Sequence, residues 1–387
     1  MGRSTRPGHA IMDMKTSTGF TSLIDAGRKA LSRFEAAGYR RCEPATLQPT
    51  AAFVDLVGEE LKTRLLLTGD LGEFCLRPEF TIPVCLDFLK SGVEAPPAQY
   101  CYFGSVFRVL PEGPTESRQV GLESLGRTDL EAADAEILGL ALEAAQAAGH
   151  GALKVRLGDA QLMNGVLNAL AVPSRLSRRI RRGIAGGHAL ADVLPKARSG
   201  SPDHRGMLAV LSKTDHAGAQ SLVRDLLAIS GIKPLGGRSI DEISERLLAK
   251  SEMGASDPLT GEALAALEEF LAIRGEPDAC VAKLRDFAKR RRLDLTPAIE
   301  RLESRIGFIA ARGLDVNAMD FATDFLRVYD YYSGFLFDAA APGASATALV
   351  GGGRYDSLAR ALGAKRDIPA VGAAMWVGEP PFGGHAK

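Results

Sequence analysis

The order in which strand and helix patterns follow one another most constrains the fold of this chain. Apolar patterns typical of strands occupy both ends of the sequence, whereas residues 161–314 show mainly helical periodicity. The strands form hairpins rather than regular strand–helix–strand units, which favours antiparallel pairing. We therefore predict an α+β fold: an antiparallel sheet flanked by helices, completed by strands near the end of the chain, with a mainly helical insertion in between.

The pattern also predicts where the individual elements lie. Outside the insertion, predicted helices cover 20–37, 79–91 and 131–148, and Asp159 is a candidate cap for a further helix. Residues 348–363 are predicted to form a strand, a glycine turn and a helix. The predicted strands are 64–77 (two strands about a Gly-Asp turn), 99–109, 118–125, 152–157, 318–338 and 368–377.

These patterns divide the chain into four parts. Residues 1–15 are polar, contain glycine and proline, and lack the apolar core of a signal peptide, so we predict a disordered leader. Residues 16–160 and 315–380 form the predicted core, residues 161–314 the helical insertion, and residues 381–387 a tail.

Charge and cysteine content restrict the possible partners. The chain carries 47 basic and 47 acidic residues, a formal net charge of +0, whereas nucleic-acid binding is usually accompanied by a basic excess, so we expect no tRNA partner. Its five cysteines show no CxxC spacing, which indicates reduced thiols, no metal site and no cofactor. No apolar run approaches the ~20 residues that span a bilayer. We expect a cytoplasmic protein without a membrane contact.

Two groups of polar residues in the first half of the chain could bind a ligand. Glu79 and Thr81 stand at the start of a predicted helix, where they could hold an ammonium group or simply cap the helix. Arg108, Gln119 and Glu123 lie on a predicted strand pair. They project either into a cleft or towards solvent, depending on which face is buried.

Two further groups lie near the end of the chain. Residues 327–334 (RVYDYYSG) surround a charged pair with tyrosines, which suits either a pocket for a ring-bearing ligand or aromatic packing on a strand. Gly351–Gly353 could allow a ligand to approach the backbone closely. The basic runs at 178–182 and 289–292 could bind phosphate, although solvated helix faces also explain them.

Taken in order, these segments resemble the catalytic domain of histidyl-tRNA synthetases, which are class II aminoacyl-tRNA synthetases. The resemblance covers roughly residues 17–160 and 315–378, and residues 39–44 resemble the family's first motif, which implies a dimer. The segments that carry it are LRPEFT, YFGSVFR, GLESLG, DAEIL, RVYDYYSG and GGGRYDSL.

The resemblance also implies a histidine pocket. Glu79, Thr81 and Gln119 would hold the α-amino group, and Arg327 would take the carboxylate, which a guanidinium can bind with two hydrogen bonds. The remaining candidate residues are Arg108 on the second-motif strand, Glu123 and Tyr332 facing the imidazole ring, and Tyr331 lining the pocket.

Departures from the family pattern concern the ATP site. The family's glutamate two residues after the second-motif arginine is absent, because Arg108 is followed by Val109 and Leu110. Trp376 stands where the family has a glycine, and Glu379 where it has an arginine that meets ATP phosphates. An indole would fill the space for adenine and a carboxylate would repel phosphate. We therefore expect no adenylate formation and no catalytic residue.

The sequence also ends eight residues after Glu379, without the family's anticodon-binding domain. Together these features resemble the regulatory subunits of the short-form ATP phosphoribosyltransferase. That resemblance implies a hetero-oligomer with a separate catalytic subunit, and histidine as the effector. The alternative is a truncated histidyl-tRNA synthetase-like enzyme that still activates an amino acid, and a sensor of uncharged tRNA is a third possibility.

Overall fold

The structure is a computed structural model, and it describes most of the chain. The described residues are 17–54, 56, 64–69, 72–91, 97–109, 116–194, 218, 221, 225, 259–343 and 348–378. The predicted leader 1–15, the predicted tail 381–387 and the position of Glu379 lie outside them.

Nine strands of the described residues form one mixed sheet, in the order β1-β5-β6-β12-β11-β10-β7-β9-β8. Its centre is antiparallel, and only the β1–β5 and β7–β9 pairs are parallel. The strands are β1 (Arg40–Arg41), β5 (Ala98–Phe107), β6 (Glu116–Leu125), β7 (Lys154–Asp159), β8 (Arg274–Gly275), β9 (Asp320–Ala322), β10 (Phe335–Ala340), β11 (Val350–Arg354) and β12 (Ala370–Val377). The α+β fold with an antiparallel sheet flanked by helices is confirmed.

A smaller sheet of three strands packs beside the large one, in the order β2-β4-β3. Its strands are β2 (Leu47–Pro49), β3 (Leu67–Thr68) and β4 (Phe74–Leu76), and β3 and β4 form the predicted hairpin. Phe74 on this sheet is 45% exposed and Leu47 is 49% exposed. Apolar side chains therefore remain uncovered on the small sheet of a single copy of the chain.

The helices begin and end where the local sequence favours it. The first helix stops before Gly38, whose φ of 94° is a left-handed conformation that glycine adopts readily. Asp159 caps the fifth helix by accepting from the backbone N–H of Gln161 at 2.7 Å, as predicted. The α-helices are α1 (Ser17–Ala36), α2 (Ala51–Val54), α3 (Thr81–Lys90), α4 (Leu130–Ala147), α5 (Ala160–Ala169), α6 (Ser174–Ala185), α7 (Leu190–Val193), α8 (Gly261–Leu271), α9 (Pro277–Arg291), α10 (Thr296–Ala311) and α11 (Leu358–Ala361).

Helices α1 and α4 pack against each other and against strands of the large sheet, and α10 packs on α4. Arg305 of α10 is buried and binds two buried carboxylates, Asp134 on α4 at 2.7 Å and Asp159 at 2.9 Å. Asp134 also binds Arg354 of β11 at 2.6 Å. Removing one member of such a group leaves an uncompensated buried charge, so the network holds α10 in place on the sheet.

Two local predictions are wrong. Residues 318–338 do not form a long strand, because only 320–322 and 335–338 are extended and the tyrosines between them stack on one another. Gly351–Gly353 do not form a turn; they lie within β11. The division into core and insertion stays a prediction, and β8, which falls inside the predicted insertion, joins the edge of the large sheet.

Candidate functional site

The candidate site lies on one face of the large sheet, where β5, β6, β12 and β11 are neighbours. Residues directly opposite one another on paired strands project to the same face. Glu123 on β6 therefore shares its face with Gly372 on β12 and Gly353 on β11, and Gln119 shares it with Trp376. Tyr102 on β5 lies opposite Gly121 on the same face.

Glycines on this face leave room for the larger side chains of the site. A Cβ at Gly372 would overlap the carboxylate of Glu123, and a Cβ at Gly121 would overlap the phenol of Tyr102. A Cβ at Gly353 would lie 2.9 Å from the Tyr332 ring, and one at Gly351 would overlap the guanidinium of Arg327. The glycines thus serve close approach, as the sequence suggested, but in this structure the approaching groups are the protein's own side chains.

Glu123 is the centre of the site and is 1% exposed. Its Oε1 accepts hydrogen bonds from the Thr81 hydroxyl at 2.9 Å and from the Tyr102 hydroxyl at 3.1 Å. Its Oε2 accepts a short hydrogen bond from the hydroxyl of Tyr355. Three neutral hydroxyls thus fix the position of one buried carboxyl group.

Burial dominates the ionisation of Glu123. Loss of solvation disfavours the charged form and, with a smaller contribution from the nearby Glu79, raises the pKa of Glu123 to about 8. The hydrogen bonds from Tyr355, Thr81 and Tyr102 oppose this shift, because they stabilise the carboxylate. A carboxyl group with these properties can accept from a ring N–H when ionised and donate when protonated.

Glu79 caps helix α3, which is the alternative that the sequence left open. Its Oε2 accepts from the backbone N–H of Thr81 and its Oε1 from that of Ile82, both at 2.8 Å. Burial raises the pKa of Glu79, and these two backbone N–H groups work against the rise. Each oxygen still has a second lone pair, so capping leaves acceptor capacity for a ligand ammonium group.

Tyrosines form one wall of the site. The rings of Tyr331 and Tyr332 lie 4.8 Å apart, Tyr329 stacks on Tyr331 at 5.2 Å, and Tyr355 meets Tyr331 edge-on at 5.9 Å. Burial raises the pKa values of Tyr331 and Tyr332, so both phenols keep their protons and can donate. The negative charges of Glu79 and Glu123 also act to raise the pKa values of both phenols.

Arg327 lies at the edge of the same face. One of its Nη atoms donates to the carbonyl oxygen of Phe337 at 2.8 Å, and its guanidinium occupies the space over Gly351. Its Nε is buried and has no hydrogen-bond partner among the described residues. A buried donor without a partner is costly, so this atom is poised for an anionic ligand group.

Arg108 and Gln119 lie at the end of the site that Trp376 borders. Both are buried, and Arg108 donates from Nε to the carbonyl oxygen of Pro78 at 2.7 Å. The guanidinium of Arg108 lies 5.3 Å from the centre of the Trp376 ring, within the range of a cation–π contact. Trp376 is the cross-strand partner of Gln119, so the indole stands beside both predicted residues.

The structure adds two residues to the predicted set, Tyr102 and Tyr355. Both contact Glu123 directly, and both are almost completely buried. Each falls inside a segment that carried the family resemblance, YFGSVFR and GGGRYDSL. Neither contact with Glu123 could be predicted before the order of the strands in the sheet was known.

Within the described residues, no group of three or more His, Cys, Asp or Glu side chains is arranged to hold a metal ion. None of the described helices is both long enough and apolar enough to cross a membrane.

A family description and several relatives match the chain. The histidyl-tRNA synthetase family model matches residues 20–217 and 216–379. The ATP phosphoribosyltransferase regulatory subunit of Mesorhizobium japonicum is 38% identical over 357 residues, covering 89% of this chain and 93% of the relative. The regulatory subunits of Rhizobium rhizogenes and Brucella anthropi are each 35% identical, covering 92% and 86% of this chain and 96% and 89% of the relatives.

Solved structures show the same fold at lower sequence identity. A Bacillus halodurans protein described as an ATP phosphoribosyltransferase regulatory subunit/histidyl-tRNA synthetase superposes with a TM-score of 0.67 and 18% identity, covering 97% of this chain and 82% of that one. A histidine–tRNA ligase subunit from Alicyclobacillus acidocaldarius superposes with a TM-score of 0.60 and 22% identity, covering 97% and 96%.

Proposed function

The chain belongs to the family of ATP phosphoribosyltransferase regulatory subunits, and we propose that it activates a separate catalytic subunit and passes histidine feedback inhibition on to it. Its role in histidine biosynthesis is regulatory, and the chain is not itself an enzyme. The catalytic subunit joins ATP to phosphoribosyl pyrophosphate, and the present chain senses the end product. We place this complex in the cytoplasm, in line with the reduced thiols that the cysteine spacing indicates.

The observation that carries the proposal is the buried Glu123 carboxyl group, held by three hydroxyls beside a wall of tyrosines. An imidazole ring offers a nitrogen donor to Glu123, and the Tyr332 phenol serves the other side of the ring. Glu79, with Thr81 and Gln119, takes the α-amino group of the ligand. Arg327, with its unpartnered Nε, takes the carboxylate, and Tyr331 closes the wall.

The same site is unsuited to amino-acid activation. Arg108 occupies the position of the family's second-motif arginine, and its guanidinium lies 5.3 Å from the centre of the Trp376 ring. The carboxylate that the family places two residues after this arginine is missing. Trp376 occupies the end of the face where a nucleotide would lie beside Gln119. Histidine would therefore bind as an effector and would leave unchanged, which is what feedback control requires.

Feedback by histidine is then allosteric in the strict sense. Histidine binds this chain, the reaction takes place on another, and the two sites influence each other reciprocally with a coupling energy of typically ~1–3 kcal/mol. We propose in addition that two copies of this chain pair, as the first-motif resemblance implies. The exposed Leu47 and Phe74 of the small sheet supply an apolar surface for that contact.

Co-expression with the short catalytic subunit of the same genome tests the proposal. We expect the two chains to copurify through a tag on either one, and the catalytic subunit alone to show little activity. Failure to copurify at micromolar concentration contradicts the regulatory assignment. A filter-binding assay with tRNA is expected to show no salt-sensitive binding.

Pyrophosphate exchange decides between this proposal and an amino-acid-activating enzyme. Adenylate formation makes labelled pyrophosphate appear in ATP when histidine is present, so an activating enzyme gives robust exchange. We expect none with this chain. Robust exchange in the purified protein rejects the regulatory proposal in favour of the enzyme.

A further inference from the structure

Helix α6 carries charged side chains of one sign only. Its 12 residues include several arginines and no aspartate or glutamate. Leu176 and Ile180 are buried and attach the helix to the rest of the chain, whereas Arg175, Arg178 and Arg179 are exposed. Residues three and four positions apart lie on the same side of a helix, so these three exposed side chains form one cationic surface, the arginine face.

The local sequence does not compensate the charge of the arginine face. The first turn of α6 contains no acidic residue but does contain Arg175, although the N-terminal end of a helix disfavours a cation. Like charges three and four positions apart on a helix also repel each other. Arg178 and Arg179 form no ion pair with any residue that the structure describes. The arginine face therefore destabilises its own helix, and an anionic partner would relieve this repulsion.

The second basic run of the sequence, at 289–292, is balanced by acidic side chains. It lies at the C-terminal end of helix α9, where the helix dipole favours cations. Arg290 binds Glu269 at 2.5 Å and Asp286 at 2.8 Å, and Arg291 binds Glu269 at 2.6 Å. A solvated helix end thus explains this run, but it does not explain the arginine face of α6.

Helix α6 is also ion-paired to the segment that forms the tyrosine wall. Nε of Arg182 donates to both carboxylate oxygens of Asp330, at 3.0 and 2.9 Å. Asp330 stands between Tyr329 and Tyr331, whose rings stack on each other in that wall. A partner seated on the arginine face therefore binds a helix that is one ion pair away from the proposed histidine pocket. A protein that responds to histidine bound here needs a contact of this kind.

We propose that the arginine face of α6 docks an acidic surface of the catalytic subunit. This inference rests on the proposed function and adds the surface through which that function is exerted. Opposite charges on two proteins accelerate their encounter and fix their relative orientation.

Other anionic macromolecules match the arginine face less well. Helix α6 has no aromatic side chain on which a nucleic-acid base could stack. Its Leu176 and Ile180 are buried, so they are not available for insertion into a membrane surface. The formal net charge of +0 for the whole chain also gives no general attraction to nucleic acid or to an anionic membrane.

Charge reversal on the arginine face tests the inference. The full chain carrying Arg178→Glu together with Arg179→Glu is compared with the unsubstituted chain for binding to the purified catalytic subunit, by biolayer interferometry at low and at physiological ionic strength. We expect the double variant to bind about tenfold or more weakly, mainly through slower association, because like charges then face each other. Binding of the unsubstituted chain should weaken as salt rises, and that of the double variant should not.

The balanced basic run supplies a matched control. Lys289→Glu together with Arg292→Glu makes the same change in net charge at two exposed positions of the other run. We expect this variant to bind the catalytic subunit within about twofold of the unsubstituted chain, since exposed charges away from a contact are screened. Equal losses in the two double variants overturn the inference, because they indicate attraction by net charge alone.

The remaining outcomes separate this inference from the proposed function. Arg178→Glu with Arg179→Glu should leave histidine affinity within about twofold by calorimetry, and its circular dichroism spectrum and thermal unfolding unchanged. If the unsubstituted chain does not bind the catalytic subunit, the proposed function fails and this inference with it. If the double variant binds as tightly as the unsubstituted chain, only this inference is overturned. It is also overturned if the reversal abolishes binding to tRNA or to vesicles of anionic phospholipid and leaves binding to the catalytic subunit intact.

Discussion

The hydroxyl of Tyr355 donates a short hydrogen bond to Oε2 of Glu123, across 232 positions of the sequence. Strand β12 lies between the strand of Glu123 and the strand that leads to Tyr355, so the contact exists only when all three are paired. The ligand-facing carboxyl group is therefore positioned by residues from both ends of the chain. This arrangement makes Glu123 the residue at which the proposed function is most directly tested.

Replacement of Glu123 by glutamine should weaken histidine binding. Loss of the ionisable acceptor for the ring nitrogen is expected to cost about 1–3 kcal/mol, because the group is buried and hydrogen-bonded. Isothermal titration calorimetry measures the change, and Glu116→Gln, at the exposed start of the same strand, serves as the control. Unchanged affinity in Glu123→Gln would remove this residue from the pocket.

Stability should depend on pH through Glu123. The pKa of Glu123 is raised to about 8 from an ordinary value of 4.5, so the folded state binds more protons than the unfolded state between these values. The stability contributed by protonated Glu123 is complete below pH 4.5 and is lost as the pH rises to 8. Glu123→Gln should therefore gain about 2–4 kcal/mol relative to the unsubstituted chain between pH 5 and pH 8. Urea unfolding at several pH values measures this, and a difference that stays constant with pH refutes it.

Replacement of Gly372 by alanine should disturb the packing around the Glu123 carboxyl group. The added Cβ would overlap the Glu123 carboxylate and lie 2.8 Å from the carbonyl oxygen of Leu122, so we expect a loss of about 1–3 kcal/mol in the free energy of unfolding and weaker histidine binding. Gly307→Ala in helix α10 is the control. No atom lies within 4 Å of its added Cβ, and alanine should be neutral or gain up to about 1 kcal/mol there. Equal stability of the two variants counts against close packing of Gly372 against the Glu123 carboxyl group.

A charge on the small sheet should separate the proposed dimer. Phe74→Glu places a carboxylate on the exposed apolar surface, which burial against a second copy would desolvate at a cost of several kcal/mol. Sedimentation velocity should then show monomers where the unsubstituted chain shows dimers. Phe308→Glu is the control, because Phe308 is also 45% exposed but lies on helix α10. Dissociation by Phe308→Glu, with Phe74→Glu still dimeric, would place the contact elsewhere.

The sequence predicted the fold class and most central elements, because their apolar periodicity is strong. Helix α4 was expected at 131–148 and spans Leu130–Ala147, and the strand expected at 118–125 is Glu116–Leu125. The strand predicted at 318–338 was wrong because alternating aromatic residues resemble the pattern of a strand. The tyrosines there pack on one another and on the site instead of pairing with a neighbouring strand.

The site could be predicted only where a segment carried its own chemistry. Glu79, Thr81 and Glu123 were predicted from their segments, whereas the contact of Tyr355 with Glu123 depends on strand order, which no local pattern encodes. Gly351–Gly353 were assigned to a turn because glycine is typical of turns. Their presence in β11 follows from the side chains of Arg327, Phe337 and Tyr332 that lie against them.

We propose that this chain senses histidine and controls a reaction that another chain performs. The most direct measurement is the ATP phosphoribosyltransferase activity of the separately purified catalytic subunit, titrated with this chain in the presence and absence of histidine. We predict that the chain raises the activity, that histidine reverses the rise, and that Glu123→Gln still activates but needs about tenfold or more histidine for inhibition. Activity that is unchanged by saturating amounts of the chain would contradict the account.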